Sequence, residues 1–386
     1  MNSIKTLFKI GNGPSSSHTM GPSYACDYIL NKYKHIKKIE VNLFQSLALT
    51  GKGHLTDYII KLKFKDYNCK IIFNKTKKVS HPNYMVFKVE TDEGIFEENI
   101  ISIGGGSLLI NGKIDDEKDV YPIKHLSEIL TFCKENNFSL TDFVKKYEDE
   151  DIFSFIENIY DKMKNSIVEG YKLGGYLPGE LHVNRKAKEL YTSYLNSEPK
   201  DYRLLVIANA FSVSELNASG GVVVTAPTCG SCGIIPSVIS FLEFKGVEKE
   251  KILNGLLVAG LIGMIAKTNA SISGAECGCQ AEIGVATSMA SALITYALDG
   301  DNYKIAQASE IALEHSLGLT CDPIKGYVQI PCIERNAVFA LKAIDCSLIA
   351  LYTSSDTFKI SFDECLKTMY ETGIDLQNGA FSYAFG

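Results

Sequence analysis

Three cysteines in the C-terminal half have the residue type and the setting of metal ligands. Cys279, Cys321 and Cys332 are separated by 41 and 10 intervening residues, and each lies in a Gly- or Pro-containing turn beside an apolar run. Three thiolates that meet from separate turns can hold three corners of a cubane iron–sulfur cluster and leave its fourth iron open. The alternatives are three buried free cysteines, which behave as small apolar side chains, or a closed four-ligand zinc site.

Three histidines in the N-terminal part could transfer protons. His18, His54 and His81 lie in the turn motifs Ser-Ser-Ser-His-Thr, Gly-Lys-Gly-His-Leu-Thr-Asp and His-Pro-Asn. Histidine is the most frequent general base in enzymes, and the glycines before His54 allow close approach of the backbone to a ligand. His54 is therefore the predicted base. A surface or structural role is the alternative for all three, and it is our interpretation of the other histidines, His35, His125, His182 and His315.

Several hydroxyl and amide side chains are candidates for substrate binding. Ser15, Ser16 and Ser17 precede a predicted helix, and hydroxyl and backbone N–H groups at a helix start bind anions such as a carboxylate. Capping of the helix by one of these serines is an alternative that is compatible with binding. Asn83 and Thr228 are further candidates for polar contacts with a substrate.

The periodicity of apolar residues divides the chain into two predicted domains. Residues 1–115 mix a helix at 21–34 with alternating runs that predict strands at 39–45, 59–64, 84–90 and 100–103. Residues 125–386 repeat apolar residues every three or four positions, which predicts helices at 151–172, 186–196, 204–216, 236–244, 252–267, 281–299, 303–317, 336–352 and 362–372. The segment 112–121 is the predicted linker. The fold class is therefore an N-terminal α+β domain followed by a larger, mainly α-helical domain.

Composition excludes some classes of partner and location. A formal net charge of −6 and an isoelectric point of about 5.7 argue against a nucleic-acid partner. Apolar runs at 252–266 and 281–298 are shorter than the roughly 20 residues that cross a bilayer, so we expect buried helices and no membrane contact. Eleven cysteines without a secretory signal indicate a reducing compartment and predict a cytoplasmic protein.

Eight motifs follow one another in a fixed order along the chain, at 13–19, 49–57, 81–83, 102–106, 177–179, 225–228, 318–323 and 331–336. The longer ones are Gly-Pro-Ser-Ser-Ser-His-Thr at 13–19, Gly-Leu-Thr-Cys-Asp-Pro at 318–323 and Pro-Cys-Ile-Glu-Arg-Asn at 331–336. This set resembles the bacterial iron–sulfur-dependent L-serine dehydratases (L-serine ammonia-lyases) in their single-chain form. The resemblance extends from about residue 3 to about residue 376.

The resemblance implies a lyase that converts its small-molecule partner, L-serine, to pyruvate and ammonia. It implies a 4Fe–4S cluster on Cys279, Cys321 and Cys332, with the open iron as a Lewis acid on the β-hydroxyl. It also implies active-site imidazoles at His18, His54 and His81, without settling which one acts at Cα. A homodimer is expected by analogy.

The alternatives are the same chemistry on L-threonine or L-cysteine, or a non-catalytic sensor that uses the cluster as a signal. A sensor has no use for a base, so the three histidines argue against it. A pyridoxal phosphate enzyme is not indicated, because Lys52 is the only lysine in a suitable context. Cys277 stands where the family usually has an aliphatic residue. The chain ends in Gly386 where some relatives end in a cysteine that can reach the cluster, so capping by the tail is not expected.

Overall fold

The computed structural model describes residues 1–114, 119–354 and 359–377. The unusual C-terminal tail after Gln377 and residues 115–118 of the predicted linker lie outside the described residues. Within them, an N-terminal α/β region is followed by a larger helical region, which confirms the predicted fold class.

A six-stranded sheet forms the framework of the N-terminal region, in the order β3-β2-β4-β5-β6-β7. All of its neighbouring strands are antiparallel except β2 and β3. In β2 the apolar side chains of Ile39, Val41 and Leu43 alternate with less buried ones, as expected for a half-buried strand. The strands of the protein are β1 (Ile10–Asn12), β2 (Lys38–Phe44), β3 (Asn68–Asn74), β4 (Tyr84–Thr91), β5 (Gly94–Gly104), β6 (Ser107–Ile110), β7 (Lys113–Ile114) and β8 (Val222–Val224).

Fifteen α-helices are described, and three of them pack in or beside the N-terminal sheet. They are α1 (Gly21–Lys32), α2 (Gln45–Thr50), α3 (Thr56–Lys63), α4 (Leu126–Asn136), α5 (Leu140–Tyr147), α6 (Ile152–Lys172), α7 (Ala187–Asn196), α8 (Tyr202–Ala218), α9 (Ile234–Phe244), α10 (Lys249–Asn269), α11 (Gly274–Cys277), α12 (Val285–Ala297), α13 (Asn302–Glu314), α14 (Cys332–Tyr352) and α15 (Phe362–Gln377).

The strand predicted at 59–64 is wrong, because these residues belong to helix α3 and the turn that follows it. Thr56, Ile59, Ile60 and Phe64 are buried, a spacing of three and four residues that matches one helix face. The alternation read from the sequence covers only six positions, and so short a run does not distinguish a strand from a helix.

Helices α10 and α12 form the centre of the helical region. Every residue from Ile252 to Ala266 in α10 is buried, and α12 packs along it. Such burial on all sides is typical of a core helix. Among the described residues, α10 is the one helix long and apolar enough to cross a membrane, and 78% of its most apolar window is buried inside the protein.

The first residues of the chain connect the two regions. Ile4, Leu7 and Phe8 are buried in the helical core, and β1 pairs antiparallel with β8, where Ile10 lies opposite Val224. The segment that follows β1 is thereby held against the helical region. The division into domains 1–115 and 125–386 remains our proposal, with this first strand crossing from one to the other.

Candidate functional site

A cavity of about 270 Å³ lies between the two regions. The N-terminal region lines it with residues 14–17, called the serine loop below, and with His18, Ser46, Thr50, His54, Gly104 and Gly105. The helical region contributes Thr228, Gly230, Ser273, Gly274, Ala275, Glu282, Cys321, Pro323, Gly326, Val328 and Cys332. The cavity thus brings together candidate histidines and cysteines that are about 300 positions apart in the sequence.

The serine loop enters a single turn of π-helix, Ser16–Met20, that continues directly into α1. Ser15 caps this turn by accepting a hydrogen bond from the backbone N–H of His18 (3.2 Å). Ser15, Ser16 and Ser17 all line the cavity. Capping and a place at the site therefore occur together in this loop.

His18 is held by hydroxyl groups on both ring nitrogens. Its Nδ1 lies 2.9 Å from Ser17 Oγ and its Nε2 lies 2.8 Å from Ser46 Oγ. The side chain is only 8% exposed, and this burial lowers its pKa well below the usual value, with a smaller contribution from His54. His18 is therefore a neutral ring in a defined orientation.

His54 lies beside His18 and is tied to the serine loop through backbone contacts. Thr19 Oγ1 donates a hydrogen bond to the carbonyl oxygen of His54 and Thr56 Oγ1 donates one to that of His18, both at 2.6 Å. The ring of His54 donates from Nδ1 to the carbonyl oxygen of Thr50 (3.1 Å). Burial lowers the pKa of His54 to about 4, although the contact with Thr50 raises it. A neutral His54 thus carries its proton on Nδ1 and a lone pair on Nε2.

The three candidate cysteines gather on the helical side of the cavity. Ligand atoms of Cys279, Glu282 and Cys321 all lie within 4.8 Å of one another, a grouping that could hold a metal ion. Cys332, at the first turn of α14, does not belong to that grouping, but it lines the cavity together with Cys321. Burial and the charges of Cys279 and Glu282 raise the pKa of the Cys332 thiol well above its usual value. Soft thiolates are the donors that iron–sulfur clusters require, so this donor set fits such a group.

Three residues around the cysteines had no role assigned to them from the sequence. Arg335 donates to the carbonyl oxygen of Thr320 (2.9 Å) and to Asp322 (2.8 Å), and it also hydrogen-bonds Cys279. Asn336 bridges the backbone of Gly233, Gly230 and Cys332. Glu282 hydrogen-bonds the side chain of Thr228; burial raises its pKa, whereas Thr228 and the charge of Arg335 lower it. Arg335 and Asn336 lie within the motif 331–336, and this position is the feature of the sequence that could have identified them as site residues.

His81 and Asn83 lie outside the described lining of the cavity. His81 Nδ1 accepts a hydrogen bond from the backbone N–H of Asn83 (3.0 Å), and His81 lies near Glu276 of α11, whose charge raises a pKa that burial lowers. Asn83 donates to the carbonyl oxygen of Ser102 (3.3 Å), while its buried Oδ1 has no hydrogen-bond partner among the described residues. His81 therefore lies near α11, the short helix that also carries the lining residues Gly274 and Ala275, whereas Asn83 contacts β5.

The remaining cysteines of this region do not join the group of metal-ligand atoms. Cys229 and Cys232 are fully buried and pack with Met20 and Val213. Burial, as the main cause, raises the pKa of both thiols, which makes them poor nucleophiles. Cys277 is also buried, in the short helix α11.

Comparison with known proteins gives matches over nearly the whole chain. Residues 3–70 match the family described as serine dehydratase beta chain, and residues 64–383 match serine dehydratase alpha chain. The L-serine dehydratase of Haemophilus influenzae is 36% identical, over 97% of this chain and 96% of that protein. The L-serine dehydratase of Helicobacter pylori strain J99 is 36% identical, over 97% and 95%.

L-serine dehydratase 2 of Escherichia coli K12 is 34% identical over 97% of this chain and 96% of that protein. The alignments with the Haemophilus and Escherichia proteins each span 437 positions, more than the 386 residues of this chain, so these relatives carry insertions that it lacks. The motifs, the cavity and the two matched regions lead to one conclusion: the chain belongs to the L-serine dehydratase family, with the beta-chain and alpha-chain regions joined in a single polypeptide.

Proposed function

We propose that this protein is an L-serine ammonia-lyase that converts L-serine to pyruvate and ammonia. Family membership supports the substrate and the reaction. The observation that carries the proposal is the shared cavity, in which an imidazole from one region faces thiols from the other. Elimination from serine requires a base at Cα and an acid at the β-hydroxyl, and these are the two kinds of group that the two walls of the cavity offer.

Cys279, Cys321 and Cys332 are the residues that would hold a 4Fe–4S cluster. When bound, such a cluster supplies a Lewis acid for the β-hydroxyl, because three protein ligands leave one iron open. Arg335 supports this assignment, since its guanidinium hydrogen-bonds Cys279 and is itself fixed by Asp322. A donor to a ligand sulfur is one of the means by which proteins tune and orient such groups.

His54 is the base that removes the Cα proton. Its Nδ1 donates to the carbonyl oxygen of Thr50, so the Nε2 lone pair is the one that can accept a proton. Its low pKa, about 4, keeps the ring unprotonated at neutral pH. A positioned base of this kind contributes about 10²–10⁴-fold to the rate. His18 positions the site, because hydroxyl groups fix both of its nitrogens and its carbonyl oxygen accepts from Thr56.

The hydroxyl groups of Ser15, Ser16 and Ser17 bind the substrate carboxylate. They line the cavity at the start of the continuous helical run from the π-turn into α1, and the start of a helix favours a bound anion. Thr228 closes the opposite wall. His81 and Asn83 remain predicted site residues, and His81 lies near Glu276 of α11, the helix that carries the lining residues Gly274 and Ala275.

Loss of the Cα proton and of the β-hydroxide, which together amount to water, leaves 2-aminoacrylate. This enamine tautomerises to the imine of pyruvate, and one water molecule hydrolyses it to pyruvate and ammonia.

An anaerobic assay of pyruvate formation tests the proposal. We expect turnover of L-serine by iron-containing protein and much slower turnover of L-threonine and of L-cysteine, which releases sulfide. If kcat/KM is higher for L-threonine or L-cysteine than for L-serine, that amino acid and not serine is the substrate. An absence of turnover on all three, with iron present, would favour the cluster-based sensor. Homodimer formation remains a prediction by analogy, and a cytoplasmic location remains a prediction from the cysteine content.

A further inference from the structure

The cavity contains one carboxylate among its described lining residues, and neither the motifs nor the reaction scheme above uses it. Glu282 lies in the single turn of π-helix, Gln280–Gly284, that begins directly after Cys279. No lysine or arginine belongs to the described lining, and both lining histidines are neutral at pH 7. Apart from the thiol groups, Glu282 is therefore the group of the described lining that provides negative charge.

An amino-acid substrate carries a positive charge that a buried site must match. Burying an ammonium group without a partner is costly, and a hydrogen-bonded carboxylate is the usual way to compensate it. The serine loop and His54 already account for the carboxylate and the Cα hydrogen of L-serine, and the cysteine group accounts for the β-hydroxyl. The α-ammonium is the substrate group that is left without a counterpart.

We propose that Glu282 binds the α-ammonium group of the substrate, and that it thereby selects α-amino acids over other β-hydroxy acids. This inference rests on the proposed function, since it names a contact within the same site.

The surroundings of Glu282 are shaped to hold its carboxylate at the cavity wall. A Cβ atom built on Gly274 would lie 2.7 Å from Glu282 Oε2, and one built on Gly230 would lie 3.1 Å from it. Both glycines line the cavity, so the absence of their side chains makes room for the carboxylate beside the substrate space. Thr228 hydrogen-bonds Glu282 and so fixes its direction.

The competing role is that of a metal ligand, because a Glu282 oxygen lies within 4.8 Å of the sulfur atoms of Cys279 and Cys321. Ligand chemistry favours the substrate contact. Iron–sulfur clusters take thiolates, whereas carboxylates prefer hard cations. Three thiols are already present for three irons, and a fourth protein ligand would occupy the position that the reaction needs open.

The contact has a consequence for the reaction and for chirality. A carboxylate partner keeps the α-amino group protonated, and an ammonium substituent makes the Cα hydrogen more acidic for His54. Carboxylate, ammonium and β-hydroxyl would each contact a different group: the serine loop, Glu282 and the cysteine group. Three such contacts fix which Cα substituent faces His54, so the site discriminates L-serine from D-serine.

The test compares wild type with Glu282→Gln, an isosteric change that removes the charge, in anaerobically prepared iron-containing protein. The two probes are L-serine and 3-hydroxypropanoate, which is serine without its amino group. We expect the KM and the calorimetric Kd of L-serine to rise by about 30-fold or more, since breaking a buried hydrogen-bonded charge pair has an effect of this size. The affinity for 3-hydroxypropanoate should change by less than about threefold, because this probe lacks the group that Glu282 binds.

Iron content and visible absorption provide the readouts that are independent of turnover, and both should stay at the wild-type level. Loss of iron in Glu282→Gln would overturn the inference in favour of a metal ligand. An unchanged KM with a collapsed kcat would overturn it in favour of proton transfer. An equal loss of affinity for both probes would also overturn it.

Three further variants keep the test decisive. Glu282→Asp retains the charge and should recover part of the affinity for L-serine. Gly230→Ala places a methyl group 3.1 Å from the carboxylate and should weaken L-serine binding even if Glu282→Gln does not fold.

Glu310→Gln is the matched control, because Glu310 is a buried carboxyl group (5% exposed) outside the described lining of the cavity, and it should behave as wild type. If wild type binds L-serine but forms no pyruvate, the proposed function fails while calorimetry still decides the role of Glu282.

Discussion

The imidazole rings of His18 and His54 lie with their centroids 4.6 Å apart and their planes tilted by 36°. Two buried rings at this distance cannot both be protonated without strong repulsion, and burial already disfavours the charged form of each. The two residues differ in what they can do. Both ring nitrogens of His18 contact serine hydroxyls, whereas in the described part of the chain the ring of His54 is hydrogen-bonded through Nδ1 and not through Nε2. This difference supports the proposal that His18 is a positioning residue and His54 the base.

Replacing His54 by Ala should lower kcat by about 10²–10⁴-fold, because the base that accepts the Cα proton is removed. The iron content should remain at the wild-type level, since His54 is not one of the proposed cluster ligands. Anaerobic turnover and iron analysis of the same preparation measure both effects. His182→Ala is the control, as its ring contacts Tyr176 outside the described lining of the cavity, and it should be fully active. Surviving turnover in the His54 variant would transfer the role of base to another group.

The acid side of the pH profile should lie near pH 4 and not near the ordinary histidine value of 6.5. A lowered pKa means that the unprotonated, reactive form persists as the pH falls. Between pH 7 and pH 5.5, kcat at saturating L-serine should therefore change by less than about twofold. An unperturbed imidazole base would lose about eightfold over the same range. A loss of that size would show that His54 is not the base or that its pKa is not depressed in the working enzyme.

Replacing Cys279, Cys321 or Cys332 by Ser should reduce bound iron from about four atoms per chain to a trace, because each thiolate would hold one corner of the proposed cluster. The broad visible absorption should vanish with it, and iron analysis under anaerobic conditions gives the count. Cys69→Ser is the matched control, since Cys69 lies in β3 of the N-terminal sheet, and it should keep its iron. Full iron in any of the three variants would remove that cysteine from the ligand set.

Replacing Asn336 by Ala should lower the free energy of unfolding by about 2–4 kcal/mol, because several backbone groups lose a buried partner. Asn336 accepts from the N–H of Gly233 (2.9 Å) and donates to the carbonyl oxygens of Gly230 (2.8 Å) and Cys332 (2.9 Å). Urea unfolding under anaerobic conditions measures the loss. Asn196→Ala, at the exposed end of α7, should stay within about 0.5 kcal/mol of wild type. If the free energy of unfolding of the Asn336 variant equals that of wild type, the turn at Gly230 and Gly233 and the start of α14 are held together by other contacts.

The sequence alone was sufficient for features that depend on local pattern. Alternation predicted β2 and β4, and the three-to-four-residue repeat predicted the long helices of the C-terminal region, including α10 and α14. The strand prediction for residues 59–64 was wrong because six residues show too little periodicity to distinguish a strand from a helix. The helix is favoured by packing of Ile59 and Ile60 against the N-terminal core, which the local pattern does not reveal. The motifs led to the family, which the comparisons show.

Only the tertiary structure decided which of those motifs share one cavity. Pairing of β1 with β8 brings the serine loop to the helical region, and nothing local to either strand encodes that contact. The same long-range packing places Glu282 in the cavity and leaves His81 outside its described lining. A sequence states which chemical groups a chain possesses, but burial, distance and charge around each group follow from contacts between residues far apart in the chain, and these determine what the group can do.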